Sequence, residues 1–134
     1  MAADSDLVTY LDSGTALTAG TDLFVGPMPE SPDNCVAVTH YNSQRSDDYT
    51  MGASLSAPGY EVEDVQVMVR HTSRATARTN ADAYHALLAN LHGQTLSGRA
   101  YYRIDEDGTP YCIGQDQNAR WRFVANYSIR KQRG

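Results

Sequence analysis

The sequence predicts a single α+β domain over residues 1–134, in which an antiparallel or mixed β-sheet carries one long helix packed on a face and a short N-terminal helix. Three observations predict this class. Valines alternate with other residues in one segment, apolar residues recur at helical spacing in the next, and turn signals separate three short segments at the C-terminal end. The composition is 41% apolar and 20% charged, which supplies one core and excludes a disordered chain.

The first third of the chain contains the short helix and two extended segments. Asp4 to Asp12 predicts a helix, because its apolar residues share one face and its first acids occupy the N-terminal turn, where the helix dipole favours negative charge. Leu23 to Val25 predicts a brief extended piece before a proline-rich turn. Cys35 to Tyr41 predicts the first long strand.

The middle of the chain contains a second strand and the main helix. Asp64 to His71 alternates strictly and directs Val65, Val67 and Val69 towards the core. Ala75 to His92 predicts the long helix, because apolar residues recur along it at helical spacing and Gly93 follows as a stop signal. The residues of its predicted core face are Ala77, Ala81, Tyr84, Leu87, Leu88 and Leu91.

Three short strands are predicted after this helix, over Ala100–Asp105, Pro110–Gly114 and Arg120–Arg130. Residues 106–108, Glu-Asp-Gly, predict a hairpin between the first two strands. Residues 115–118 turn the second strand into the third. In the last strand Trp121, Phe123, Ala125, Tyr127 and Ile129 share one face, and Arg122, Asn126, Ser128 and Arg130 share the other.

Residues 42–59 form a long polar stretch between the two central strands. A loop of this length is uncommon in a small domain and is usually either a functional arm or unstructured. Tyr49, Met51 and Leu55 are apolar residues that a free loop would leave in water, which favours docking of an arm on a partner. A free loop remains an equal alternative.

Charge is distributed unevenly along the chain. Residues 1–69 carry eleven acids against the single base Arg45, a net charge of −10, and residues 70–134 carry ten bases against five acids, a net charge of +5. If the halves lie on different faces, two copies attract head to tail, which is the geometry that closes into rings. The alternative is that the halves interleave in one sheet and cancel locally. The overall charge of −5 argues against a nucleic-acid-binding module.

The basic residues at the C-terminal end have three interpretations; they are Arg122, Arg130, Lys131 and Arg133. They form a phosphate-contacting strand, a charged face that protects an edge strand from aggregation, or a contact with the acidic half of a neighbouring copy. We rank the last interpretation first.

Motifs of catalysis and cofactor binding are absent from the sequence. No G-x-G-x-x-G pattern occurs, and Lys131 is the only lysine, which removes a phosphate-binding loop with its lysine. Residues 52–56 resemble a nucleophile elbow but end in Ser where the sharp turn needs Gly. Cys35 and Cys112 are expected to be buried structural thiols. We therefore expect no enzymatic activity, no cofactor and no metal, and the sequence predicts neither a membrane span nor an export signal.

Several segments, in this order, resemble the bacteriophage tail-terminator family, part of which is described as phage minor capsid proteins. The similar segments are Phe24–Pro27, Asp64–Arg70 leading into an Ala-rich helix that ends at Leu88–Gly93, Tyr111–Arg120 and Phe123–Ile129. The similarity covers nearly the whole chain. It departs at residues 42–59 and in the scarcity of lysine.

This resemblance implies a non-enzymatic virion protein, made in the host cytoplasm and located in the neck region of the tail. It implies a homo-oligomeric ring, commonly of six copies, at the head-proximal end of the tail, which stops tail tube growth and contacts the tail tube protein and a head completion or connector protein. The resemblance also implies that DNA passes through the lumen without specific binding. Another neck component, such as a head-tail connector, is the alternative, and a nucleic-acid-binding module or a small enzyme ranks lower. The expected interface residues are Arg45, Asp47, Asp48, Tyr49, Met51, Leu55, Arg122, Arg130 and Lys131.

Overall fold

The computed structural model describes residues 3–45, 60–89, 91, 93–96 and 98–132. The helices in this part of the chain are α1 (Ala3–Gly14) and α2 (Arg74–Ala89). The strands are β1 (Leu23–Val25), β2 (Cys35–Arg45), β3 (Tyr60–His71), β4 (Gln94–Leu96), β5 (Arg99–Glu106), β6 (Tyr111–Gln115) and β7 (Trp121–Gln132). The predicted α+β class is confirmed.

The sheet is mixed, with strand order β1-β2-β3-β7-β5-β4 and with β6 paired to β7. β1 runs parallel to β2, and every other pair is antiparallel. β3 pairs with β7 along its whole length, whereas β5 pairs with residues 127–131 of β7 and β6 with residues 121–124. β5 and β6 therefore lie end to end along the second edge of β7.

This arrangement shows that the predicted hairpin at residues 106–108 is wrong. The turn connects two strands that pair with β7 and not with each other, because β7 has twelve residues and is long enough for both. The backbone N–H of Asp107 donates to the carbonyl of Asn126, 2.9 Å away, which fixes the connection on β7. The predicted turn from β6 into β7 is confirmed by their antiparallel pairing.

The boundaries of the central strands differ from the predictions. β2 continues to Arg45, so residues 42–45 belong to a strand and not to the predicted loop. The reason is that the backbone hydrogen bonds between strands do not require apolar side chains. After a register shift at His40, polar residues 42–45 pair with residues 61–64 of β3. The rest of the predicted loop lies outside the described residues. α2 also ends earlier than predicted, since Leu91 already lies beyond it.

Both helices pack on the same face of the sheet. Ser73 is the N-cap of α2. Its side-chain oxygen accepts the N–H of Thr76 at 3.3 Å, and its carbonyl accepts the N–H of Ala77. Core residues alternate along the central strands, as the valine pattern predicts. They include Leu7, Leu11, Val36, Val38, Val65, Val67, Val69, Ala77, Ala81, Leu88, Phe123, Ala125, Tyr127 and Ile129. Each large apolar side chain buried here stabilises the fold by about 1.5–3 kcal/mol.

Candidate assembly surfaces

The face of the sheet opposite the helices carries the side chains at the other alternate positions. Thr39, Tyr41, Gln66 and Asn126 line a recess of about 290 Å³ on this open face. The Gln66 amide donates to Asn126 Oδ1 at 3.2 Å, and the Asn126 amide donates to the Tyr111 hydroxyl at 3.4 Å. Tyr41 is 56% exposed and Tyr111 47% exposed. Exposed tyrosines of this kind are enriched in protein–protein interfaces.

Two buried arginines hold the connection between β1 and β2 against one end of the open face. Arg70 donates to the carbonyls of Pro32 and Asp33, the latter at 3.0 Å. Arg120 donates to the carbonyl of Glu30 and contacts the Glu30 and Asp33 carboxylates at 3.4 and 3.3 Å. Since Arg120 belongs to the basic half of the chain and its partners to the acidic half, the two halves interleave here and neutralise each other within one molecule.

The turn between β6 and β7 is organised around Asp116. Its Oδ1 accepts the backbone N–H groups of Asn118 at 2.9 Å and Arg120 at 3.0 Å, and its Oδ2 accepts Arg120 Nε at 2.8 Å. Desolvation opposes ionisation of Asp116, but these hydrogen bonds and the guanidinium charge outweigh it and lower the pKa of the carboxyl. Ala119, with φ of 58°, adopts the left-handed conformation that this tight turn requires.

Lys131, which the sequence places at an interface, lies in the core of the single chain. Its side chain is fully buried, and its Nζ lies 3.0 Å from Glu63 Oε2. Glu63 Oε1 also accepts the Ala3 N–H at 3.2 Å and lies 3.5 Å from His40 Nε2. The cause is strand alternation, which places position 131 on the same face as Tyr127 and the other core positions of β7.

A second buried polar contact joins α2 to the sheet. His85 Nδ1 lies 2.8 Å from the Tyr127 hydroxyl, and His85 Nε2 lies 3.4 Å from Glu106 Oε2. Burial raises the pKa of the Tyr127 hydroxyl far above its usual range, so the phenol stays protonated and forms a hydrogen bond with the imidazole. The contact therefore ties α2 to β7.

The remaining predicted residues lie in three places. Arg122 and Arg130 are on the open face of β7, as the alternation predicts; Arg122 Nη2 donates to the Gln115 carbonyl at 3.4 Å, and Arg130 is exposed. Within the described residues, Arg122 Nε is buried with no hydrogen-bond partner. Arg45 ends β2. Asp47, Asp48, Tyr49, Met51 and Leu55 lie outside the described residues.

Candidate ligand and metal chemistry is limited in the described part of the chain. No three His, Cys, Asp or Glu side chains there come close enough together to hold a metal ion. Cys35 and Cys112 are free thiols. Cys35 is buried as predicted, and its burial raises the pKa of the thiol, whereas Cys112 is only partly buried because its strand lies at the edge of the sheet. Neither described helix has the length and apolar character that crossing a membrane requires.

Sequence reasoning missed the two buried arginines and the exposed tyrosines. Arg70 and Arg120 have the same local pattern as surface arginines, so only their tertiary partners identify them. The signal for Tyr41 was present, because alternation along β2 puts it on the same face as Thr39. Tyr111 could be assigned to the open face only once its partner on β7 was known.

Within the described residues, both helices pack on one face of the sheet, and the opposite face exposes Tyr41 and Tyr111 to contact with further proteins. A family model described as "Bacteriophage tail terminator protein" matches residues 10–133. The chain therefore belongs to the bacteriophage tail terminator family and is a structural protein of the virion tail.

The fold is shared with a known particle component. A chain in the solved structure of the virion of a native gene transfer agent (GTA) particle superposes with a TM-score of 0.51 at 18% sequence identity, over 98% of this chain and 87% of that chain. A search of curated proteins gave no match. The family resemblance stated from the sequence is confirmed.

Proposed function

We propose that this protein forms a ring, of six copies, at the head-proximal end of a phage tail, where it ends growth of the tail tube and joins the tail to the head. The observation that carries this proposal is the family match, which extends over residues 10–133 and so covers nearly the whole domain. Its partners are further copies of itself, the tail tube protein and a head completion or connector protein.

The charge of the molecule supports this role. The chain has a net charge of −5, and Arg120 and Lys131 are neutralised within the molecule by Glu30, Asp33 and Glu63. DNA that passes through a ring must not adhere to its wall, and a net acidic protein with internally paired cations offers few phosphate contacts. We expect no DNA affinity with the steep salt dependence of a nucleic-acid-binding module.

Tail tube polymerisation tests the function directly. Tail tube protein is polymerised with and without the purified protein, and tube lengths are measured by electron microscopy. We expect shorter tubes with extra density at one end, and native mass spectrometry of the protein is expected to give a six-copy ring. Unchanged tube lengths contradict the proposal, and density on the head portal but not on tube ends indicates a head-tail connector instead.

We also propose that residues 46–59 form an arm that contacts a tail partner through Asp47, Asp48, Tyr49, Met51 and Leu55, with Arg122 and Arg130 on the open face as further contacts. Arg45 and Glu61 are register partners in the backbone ladder between β2 and β3, so the two ends of this segment are held close together. Deletion of residues 46–56 leaves Ala-Pro-Gly at positions 57–59, a length and composition suited to a short hairpin loop.

The deletion variant is expected to unfold at the same denaturant concentration as wild type but to lose attachment to tails. The variant in which Tyr49, Met51 and Leu55 are replaced by Ala separates side-chain contacts from loop length. Normal tail capping by the deletion variant would remove the arm from the proposal.

A further inference from the structure

Register across the sheet brings the outer edges of β1 and β6 to the same level. Phe24 pairs with Ala37, Ala37 with Met68, Met68 with Val124, and Val124 with Tyr111, which makes one row through β1, β2, β3, β7 and β6. Among the described strands, β1 pairs only with β2, β6 only with β7 and β4 only with β5. The outer side of β1 is bridged at Leu23, which pairs with Ala19 and whose carbonyl accepts the Gly20 N–H at 2.8 Å, so contact with another chain on this edge centres on Val25. The strand directions along this row make β1 and β6 antiparallel to each other.

The β1 edge is acidic and partly apolar. Val25 on this edge is 45% exposed. Next to it, a shallow recess of about 700 Å³ includes Asp22, Phe24, Pro32 and Asp33. The Asp33 carboxylate reaches Arg120 but its side chain remains 66% exposed, so it also faces solvent.

The β6 edge has the complementary character. Tyr111 is 47% exposed and Ile113 is 39% exposed on this strand. Between β6 and α2 lies a groove of about 370 Å³ that includes Arg74, Arg78 and Asp82, so the charged side chains that line this groove carry a net positive charge. The Arg74 guanidinium lies 5.6 Å from the centre of the Trp121 ring.

These observations favour contact between unlike edges. An exposed edge strand is a template for pairing with another chain. Two β6 edges brought together would oppose arginines to arginines, and two β1 edges would oppose Asp22 and Asp33 to themselves, whereas a β1 edge on a β6 edge pairs opposite charges. Rotation about an axis parallel to the strands sets β6 of one copy antiparallel to β1 of the next, and repeating this rotation closes a ring.

We propose that copies of this chain join head to tail, with the β1 edge (Asp22, Val25, Asp33) of one copy packed on the β6 edge (Arg74, Arg78, Ile113) of the next. This inference rests on the proposed ring and names the surfaces that build it. The occupant of each edge is a second copy of the chain, and the open face stays available for other virion proteins.

The test uses one variant for each edge. Val25→Asp places a charge on the β1 edge, and Ile113→Asp places one on the β6 edge; both positions are exposed in the single chain. We expect each variant alone to be monomeric, with an association weakened about thirtyfold or more. An equal mixture, with one variant isotope-labelled, is expected to give heterodimers in native mass spectrometry, because only one pair of unaltered edges exists.

Matched variants complete the design. Tyr41→Asp changes an exposed side chain on the open face and is expected to leave the ring intact. Arg78→Glu is a second β6-edge variant. Because Arg78 lies on α2, this substitution does not disturb a strand, and it is expected to weaken assembly as Ile113→Asp does. Circular dichroism checks that each variant is folded.

Two results would overturn the edge assignment: rings formed by both edge variants, or dimers formed by either variant alone. A failure of the proposed function gives a different result. Wild-type rings would then form and would depend on both edges, but adding them would not change the length of tail tubes. Rings that still cap tubes after both edge substitutions refute only the edge assignment.

Discussion

Replacement of Lys131 by Met tests the buried ion pair beneath α1. The substitution keeps the apolar part of the side chain at about its length, with sulfur in place of Cδ, and removes the ammonium, which is fully buried and lies 3.0 Å from the Glu63 carboxylate. Removing one member of a buried pair leaves the other charge uncompensated and costs about 3–5 kcal/mol. Glu63 keeps the Ala3 N–H and the neighbouring His40 as partners, so we expect a loss near the lower end, about 3 kcal/mol.

The assay is urea unfolding followed by the fluorescence of Trp121, the only tryptophan, which lies on the core face of β7. For a chain of this size about 3 kcal/mol corresponds to a fall in Tm of roughly 10–15 °C. Arg130→Met is the matched control, because it removes a positive charge from the adjacent, exposed position and should cost less than about 0.5 kcal/mol.

Adding Glu63→Gln to Lys131→Met removes the stranded charge and is expected to recover part of the loss, since the amide oxygen still accepts the Ala3 N–H. A free energy of unfolding of Lys131→Met within about 1 kcal/mol of wild type would contradict a stabilising ion pair. Equal destabilisation by Arg130→Met would contradict it as well.

Three further changes test the core, the β6–β7 turn and the contact between α2 and the sheet. Val67→Asp buries a charge at a position only 3% exposed, and we expect no cooperative unfolding transition by circular dichroism; a soluble variant that melts cooperatively contradicts the core face. Asp116 has a lowered folded-state pKa, so its contribution to stability is complete above its unfolded pKa of about 3.9 and is lost as the pH falls through the lower folded value. In urea titrations at a series of pH values, the free energy of unfolding of Asp116→Asn should therefore fall less at acidic pH than that of wild type. The same pH dependence in both proteins would show that Asp116 does not contribute to it. Tyr127→Phe removes the hydrogen bond to His85 and should cost about 1–2 kcal/mol in the same assay, so an unchanged unfolding midpoint would argue against that contact.

The core face of each long strand could be predicted because side chains alternate with a period of two. The alternation from Val65 to Val69 and from Trp121 to Ile129 placed these residues correctly. The same period, continued by one step, places Lys131 in the core. The prediction grouped Lys131 with neighbouring basic residues by charge, and charge does not override the geometry of a strand when a buried carboxylate is available as a partner.

The candidate surfaces were less predictable. Arg122 and Arg130 were placed on the open face by alternation. The β1 and β6 edges, however, depend on which strands pair, and the local sequence of β5 and β6 indicates a hairpin that does not form. The sequence could not decide whether the acidic and basic halves lie on different faces or interleave. The contacts of Arg120 with Glu30, about 90 residues away in the chain, show that they interleave there.

Local pattern alone was sufficient for the α+β class, the two helices, the long strands and their inward faces, since periodicity and turn residues act over a few neighbouring positions. The order of short motifs also indicated the family resemblance. Strand order, the end-to-end placement of β5 and β6 on β7, the arginine-held connection and the burial of Lys131 were settled only in the folded chain. Each of them depends on backbone ladders or ion pairs between residues far apart in sequence, and no local pattern encodes those contacts.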